Sequence, residues 1–165
     1  MGAAYYAGLN FYGDHATIIE TIYKKVGMIG YPNSVLFRVT NEGTERAVVH
    51  SDVGAGDTTC ILYLSQHANR YGTGFYRNKR TGSMTMPPLA ALAQDPAEFA
   101  LTKHEIDVSA PEHWEEVEFI QGRYNRAIVF DSHRYHRRFP YHGFGSDEAS
   151  GRMIWIGHFR NGVLP

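Results

Sequence analysis

Short runs of β-favouring residues, separated by turn signals, dominate this chain from about residue 34 onwards. Each run is too short for a typical helix and is rich in valine, isoleucine, threonine or aromatic residues, which favour strands. The predicted strands cover residues 35–40, 46–51, 58–65, 72–77, 117–121, 127–131 and 153–159. This density of short strands predicts an all-β sandwich or jelly-roll core.

Two regions of the sequence carry helix signals instead. Residues 14–27 combine Asp14, which can cap a helix, with apolar residues at the spacing of one helical face, such as Ile18 and Ile22. Residues 84–116 contain Pro87-Pro88, Pro96 and Pro111, and proline is favoured at the first position of a helix. We therefore predict an N-terminal helix and a helical insertion, both packed outside the β core.

The composition is that of an ordinary globular protein. The 165 residues, 43% of them hydrophobic and 20% charged, suit one globular domain spanning residues 1–165. A net charge of -1 gives no electrostatic reason to expect nucleic acid as a partner. Because neither a signal peptide nor an apolar stretch of roughly 20 residues is recognisable, we expect a soluble cytoplasmic protein without a membrane partner. The single cysteine, Cys60, is expected to be a buried small hydrophobe.

The segment His50-Ser51-Asp52 carries the clearest chemical signal. Residues two apart on an extended backbone project from the same face, so His50 and Asp52 can converge on one metal ion. Two imidazoles and one carboxylate leave open positions on octahedral Fe(II), as an oxygenase requires. His133 and His136, just after the strand 127–131, are both candidates for the third ligand, and spacing does not choose between them.

Such a metal needs a partner for two of its open positions, and a 2-oxo acid can fill them. The far carboxylate of that acid then needs an anchor, for which the donor fork of arginine and a nearby phenol are suited. Arg152 opens the last predicted strand, and Tyr63 lies on the apolar strand 58–65. Each of these residues, taken alone, also fits a structural role, as a surface arginine or a core aromatic.

Three further segments, together with these residues, carry a resemblance to a known family. They are residues 72–82 (GTGFYRNKRTG), 124–130 (YNRAIVF) and 151–153 (GRM). From about residue 35 to residue 159 the chain resembles the Fe(II)/2-oxoglutarate-dependent oxygenases of the prolyl 4-hydroxylase-like branch. Within that branch it is similar to DUF6445, a small uncharacterised group of proteins from bacteria and their phages. The resemblance implies a double-stranded β-helix, the cupin-like form of the jelly roll, over about residues 35–159.

The resemblance also implies roles for individual residues. It makes His50, Asp52 and His136 the metal ligands and catalytic residues, with His133 as a neighbour. Tyr63 and Arg152 would bind 2-oxoglutarate, and Arg160 is a poorer match than Arg152. Related halogenases lack the carboxylate ligand, so the retained Asp52 favours hydroxylation or another oxidation. The predicted activity is that of an Fe(II)- and 2-oxoglutarate-dependent dioxygenase, which uses O2 to hydroxylate an amino acid, a peptidyl side chain or a small metabolite.

Two alternatives remain at this point: a cupin-like metalloenzyme that does not use 2-oxoglutarate, and a non-catalytic jelly-roll binding protein. The sequence leaves open the substrate, the oligomeric state and the roles of His133, His158 and the cluster Arg134, Arg137 and Arg138. The remaining histidines, His15 among them, are expected on the surface or in loops. Substrate choice is expected to depend on residues 66–71, 84–116 and 139–150, because loops on a rigid scaffold commonly carry specificity.

Overall fold

The computed structural model describes residues 4–5, 12–43, 47–66, 71–142, 144–147 and 150–161. Three helices and eight strands lie within these residues. In chain order they are β1 (Ala4–Tyr5), α1 (Tyr12–Val26), β2 (Tyr31–Thr40), β3 (Thr58–Tyr63), β4 (Gly72–Asn78), α2 (Leu89–Gln94), α3 (Pro96–Val108), β5 (Trp114–Gln121), β6 (Arg126–Asp131), β7 (His136–Phe139) and β8 (Arg152–Arg160).

The strands form two antiparallel sheets, and the architecture is mainly β and consistent with a β-sandwich. The larger sheet has five strands in the order β1-β2-β8-β3-β6, and the smaller has three in the order β5-β4-β7. Side chains from both sheets meet in one apolar cluster, where the ring centroids of Phe75 on β4 and Phe130 on β6 lie 5.1 Å apart. The inner faces of the two sheets therefore enclose a shared core.

Alternation along β8 divides its side chains between this core and helix α1. Residues 152, 154, 156 and 158 share the inner face, because side chains two apart on a strand point the same way. On the outer face, Trp155 and Phe159 pack with Ile22 of α1. His15, also on α1, is buried and accepts a hydrogen bond of 2.8 Å from Nε1 of Trp155. The expectation of a surface His15 is therefore wrong, because its ring satisfies the buried indole.

Most of the predicted strands and the N-terminal helix are confirmed, but one predicted strand is wrong and two observed strands, β1 and β7, were not predicted. Residues 47–49 of the predicted strand 46–51 form no regular strand, and His50 makes only an isolated bridge to His136. Residue 46 lies outside the described residues. Strand β7 was not predicted, because the sequence His136–Phe139 carries three basic or titratable side chains and no β-branched residue.

The helical insertion is confirmed as α2 and α3. Pro96 occupies the start of α3, where the carboxylate of Asp95 accepts a hydrogen bond from the backbone N–H of Glu98. The prediction of a third helix at Pro111 is wrong, since residues 111–113 form a turn and β5 begins at once. The buried Glu105 of α3 accepts hydrogen bonds from Asn78 and Arg80, which fastens the insertion to the end of β4.

Two smaller predictions can also be compared with the structure. Cys60 is fully buried, as expected, and burial raises the pKa of its thiol to about 12. No helix in the described part of the chain is long and apolar enough to cross a membrane. Of the three segments expected to control specificity, residues 67–70, 143 and 148–149 lie outside the described residues.

Candidate metal centre

The three predicted metal ligands, His50, Asp52 and His136, lie close together beside β7, an outer strand of the smaller sheet. Reciprocal backbone hydrogen bonds of 2.9 and 2.8 Å pair His50 with His136, the first residue of β7, and set their rings side by side. Asp52 lies two residues after His50 in the sequence. Nε2 of His50 is 3.7 Å from Oδ1 of Asp52, and Nε2 of His136 is 3.4 Å from Oδ2. One potential ligand atom from each residue thus lies within 4.8 Å of the other two.

Backbone carbonyls orient both imidazole rings. Nδ1 of His50 lies 2.9 Å from the carbonyl oxygen of Val48, and Nδ1 of His136 lies 3.0 Å from that of Arg134. A carbonyl oxygen can only accept, so each Nδ1 carries the proton and each Nε2 presents a lone pair. Both rings are therefore held in the tautomer and direction that a shared metal ion requires.

A hydrogen-bonded network fixes the carboxylate of Asp52. Its backbone N–H donates to the carbonyl oxygen of Ser132 at 2.8 Å, and Oδ2 accepts from the hydroxyl of Thr59 at 3.0 Å. Thr59 is in turn bonded to the hydroxyl of Ser132 at 2.8 Å. Burial alone would raise the pKa of Asp52, but its contacts with His136 and His158 outweigh burial and hold the pKa well below its usual range. The carboxylate is therefore ionised at neutral pH.

The environment of His50 favours the neutral imidazole. Partial desolvation, reinforced by the nearby His136, lowers its pKa, although the charge of Asp52 acts in the opposite direction. A metal ion at neutral pH would therefore not have to displace a proton from this ring. The donor set at neutral pH includes one ionised carboxylate and a neutral imidazole with its Nε2 free.

The structure distinguishes the two candidates for the third ligand. His136 lies opposite His50, whereas Nδ1 of His133 lies 3.2 Å from the carbonyl oxygen of Met86. The backbone N–H of His133 donates to the carboxylate of Asp131 at 2.8 Å. His133 therefore faces the helical insertion and lies outside the group of converging ligand atoms.

A cavity of about 260 Å³ extends from the two histidines between the sheets. Its walls combine apolar residues of β3 and β8 with basic residues from three strands. The residues that line it are Arg38, Ala47, Val48, His50, Ile61, Thr73, His136, Arg138, Arg152, Ile154 and Ile156. The converging histidines and Arg152 therefore line the same cavity.

Arg152 is a buried cation in the wall of this cavity. Its side chain is 2% exposed, and its Nε has no hydrogen-bond partner within the described ranges of the chain. Its guanidinium lies 5.9 Å from the ring centre of Tyr63, a weak contact for a buried cation. Burial lowers its pKa to about 10, so the group remains charged at neutral pH. A buried cation in this state is suited to an anionic ligand.

The predicted phenol lies close to Arg152 and is linked to the cavity through a threonine. Tyr63 is fully buried, and its hydroxyl is hydrogen-bonded at 2.8 Å to the hydroxyl of Thr73, which lines the cavity. Burial raises the pKa of Tyr63, so it is a neutral hydroxyl at neutral pH. The hydroxyl-bearing Thr73 and Arg152 thus line the same cavity, with Tyr63 bonded to Thr73.

The basic cluster near His136 divides between the cavity and the outer surface. Arg138 is 8% exposed and lines the cavity. Arg134 pairs with Glu118 at 3.1 Å, and Arg137 lies over the ring of Tyr141 at 3.7 Å from its centre. Only Arg138 of these three therefore contributes to the cavity.

The sequence did not predict several residues of the site. Thr59, Ser132, Thr73 and Arg38 bear common side chains in no recognisable motif, and they reach the site through the pairing of strands distant in sequence. Alternation along strands 35–40 and 58–65 could have placed Arg38 and Thr59 on particular faces, but the face that meets the metal ligands depends on register.

Comparison with known proteins identifies one family. The sequence model of DUF6445, a family of unknown function, matches residues 44–155. The matched segment includes His50, Asp52, His136 and Arg152. No curated protein matches the chain.

Proposed function

This chain belongs to the DUF6445 family, and we propose that it is an Fe(II)- and 2-oxoglutarate-dependent dioxygenase. Its reaction would be the hydroxylation of an amino acid, a peptidyl side chain or a small metabolite. The main support is a single cavity that joins two members of a His-Asp-His group to a buried arginine whose Nε has no hydrogen-bond partner among the described residues.

The donor set fits ferrous iron. Two imidazole nitrogens and one carboxylate oxygen are the ligands of many non-haem Fe(II) oxygenases, and they leave three octahedral positions for other groups. His50 and His136 present Nε2 because their Nδ1 protons are engaged by backbone carbonyls. With iron and 2-oxoglutarate bound, the site would supply the activation of O2 and the oxidation of a C–H bond.

The cavity fits a small dicarboxylate. Its volume of about 260 Å³ is below the roughly 300–1,000 Å³ of sites for drug-sized ligands. Arg152 would pair with the far carboxylate, and the hydroxyl of Thr73, supported by Tyr63, would provide a further hydrogen bond. Burial makes such a pair strong, because the guanidinium faces little competition from water.

The remaining walls would control water and orientation. Ile61, Ile154 and Ile156 give one side of the cavity an apolar surface, which disfavours ordered water beside a reactive centre. Asp52 is held by Thr59 and by the backbone of residue 132, so its carboxylate is fixed before any metal binds. A carboxylate at this position favours hydroxylation over halogenation.

We also propose that the two sheets form a double-stranded β-helix within one domain spanning residues 1–165. The strand orders support this, because strands β2 to β8 divide between two sheets in the order β2-β8-β3-β6 and β5-β4-β7. The bridge from His50 to His136 adds a further segment beside β7. In this arrangement His50 and Asp52 would belong to the segment that precedes β3.

Anaerobic titration with Fe(II), with and without 2-oxoglutarate, tests the proposed function. We expect the wild type to bind one iron and to develop the weak visible charge-transfer band of an Fe(II)–oxo acid chelate. His136→Ala should lose both, whereas His133→Ala should keep both, because His133 lies outside the converging group. Iron binding without a response to 2-oxoglutarate would favour a cupin-like enzyme instead. Absence of iron binding would refute the metal site itself.

A further inference from the structure

We propose that His158 is a positioning residue of the metal centre, which holds the carboxylate of Asp52 by a hydrogen bond from Nε2–H to Oδ2. This inference rests on the proposed metal site and adds a residue that the resemblance does not include. Nε2 of His158 lies 3.4 Å from Oδ2 of Asp52. Among the residues that the structure describes, this nitrogen is buried and has no hydrogen-bond partner.

Strand pairing places His158 in a row of polar side chains across the larger sheet. His158 on β8 lies opposite Ser34 on β2 and opposite Thr59 on β3. Directly paired residues project from the same face of a sheet, so these three side chains are neighbours on the inner side. Thr59 and His158 both reach Oδ2 of Asp52, which leaves Oδ1 as the oxygen without either contact.

The hydrogen bonds available to His158 are compatible with a proton on Nε2. The partner of Nδ1 of His158 is a hydroxyl, which can donate as well as accept, so the proton of the neutral ring can lie on Nε2, 3.4 Å from Oδ2 of Asp52. Nδ1 then accepts from the hydroxyl of Ser34 at 2.8 Å. In this tautomer His158 is protonated on Nε2, whereas His50 and His136 are protonated on Nδ1. Nδ1 of His158 faces a hydroxyl, whereas Nδ1 of His50 and of His136 each faces a carbonyl oxygen. His158 would therefore donate from Nε2, and the other two rings would bind a metal ion through Nε2.

The position of His158 separates it from the ligands. The group of mutually close ligand atoms contains His50, Asp52 and His136 and does not include His158. The contacts of Thr59 and His158 with Oδ2 would hold the carboxylate of Asp52 in one orientation beside His50 and His136, the residues that would bind the metal ion with it.

Cobalt binding by matched variants tests this role without an activity assay. Co(II) takes the same ligands as Fe(II), is stable in air and has a visible spectrum that depends on coordination. We expect His158→Leu to weaken Co(II) binding about 10- to 100-fold, the usual effect of losing a residue that orients a ligand, and to alter the spectrum. His158→Gln should restore much of the affinity, because its amide can still donate to Asp52.

His15 provides the matched control. His15 and His158 are each 9% exposed, but His15 bonds to Trp155 on the opposite face of β8. His15→Leu should lower thermal stability and leave both the cobalt affinity and the spectrum unchanged. If His158→Leu instead binds cobalt with wild-type affinity and spectrum, His158 has only a structural role and the inference fails. If the wild type itself binds no metal, the proposed metal site fails together with this inference. Failure of the inference alone is recognised because the wild type then still binds cobalt.

NMR of the wild type tests the tautomer independently of any variant. Long-range ¹H–¹⁵N spectra of the metal-free protein at neutral pH should show His158 with its proton on Nε2. His50 and His136 should show theirs on Nδ1. A proton on Nδ1 of His158 would remove the proposed donor and overturn the inference even if His158→Leu does not fold.

Discussion

Replacing Arg152 by methionine is predicted to stabilise the ligand-free protein and to weaken 2-oxoglutarate binding. Methionine resembles the aliphatic part of arginine and carries no charge. In the folded chain the pKa of Arg152 falls from 12.5 to about 10 because of burial. That fall corresponds to about 3 kcal/mol of unfavourable free energy for keeping the group charged at neutral pH. Arg152→Met should therefore raise the free energy of unfolding by about 1–3 kcal/mol in the absence of ligands.

The effect on binding has the opposite sign. Removing one partner of a buried, hydrogen-bonded charge pair costs about 2–5 kcal/mol of binding free energy. This range corresponds to a loss of 2-oxoglutarate affinity between about 30-fold and several thousand-fold. Urea denaturation of the metal-free protein measures the first effect, and anaerobic calorimetry of the Fe(II) form with 2-oxoglutarate measures the second.

Arg160→Met is the matched control, since Arg160 ends the same strand and is exposed. It should change neither quantity appreciably. The reasoning would be refuted if Arg152→Met destabilised the ligand-free protein by several kcal/mol and kept the wild-type affinity for 2-oxoglutarate. Arg152 would then act as a structural residue, and the anchor for an anion would have to lie elsewhere in the cavity.

Other predictions concern the cavity wall, the insertion and the response to acid. Thr73→Val should weaken 2-oxoglutarate binding about tenfold in calorimetry, because it removes the hydroxyl that lines the cavity; unchanged affinity would contradict this. Glu105→Ala should lower the free energy of unfolding in urea by about 1–3 kcal/mol, whereas Glu98→Ala, at a more exposed end of the same network, should cost less than about 1 kcal/mol. The free energy of unfolding of the metal-free protein should fall as the pH falls from 6.5 towards 4, because the folded state disfavours protonation of His50. Denaturation at a series of pH values should show a weaker dependence for His50→Asn. An equal dependence of the unfolding free energy on pH in the variant and the wild type would refute this prediction.

Local patterns in the sequence were sufficient for much of the fold. Alternation and β-branched residues located β3, β6 and β8, and helical spacing located α1. The His-x-Asp spacing was informative because it needs only a locally extended chain, and the structure brings His50 and Asp52 close together even though residues 47–49 form no regular strand. A motif based on neighbours in sequence is therefore insensitive to errors in strand assignment.

Features that depend on pairing between distant strands were not accessible in the same way. His133 and His136 differ by three positions, and spacing alone did not choose between them, whereas the bridge to His50 brings His136 beside the other ligands. His158 reaches Asp52 because Thr59 and Ser34 flank it on the neighbouring strands, a register that sequence periodicity does not define. His15 was misplaced for a related reason, since its partner Trp155 lies at the far end of the chain.

An anaerobic crystal structure with Fe(II) and 2-oxoglutarate would test the proposed function most directly. We predict an anomalous iron peak bonded to Nε2 of His50, Nε2 of His136 and one oxygen of Asp52. We also predict that the far carboxylate of 2-oxoglutarate lies against Arg152. Iron bound elsewhere, or 2-oxoglutarate outside the cavity that joins these residues, would contradict the assignment of this chain as a 2-oxoglutarate-dependent oxygenase.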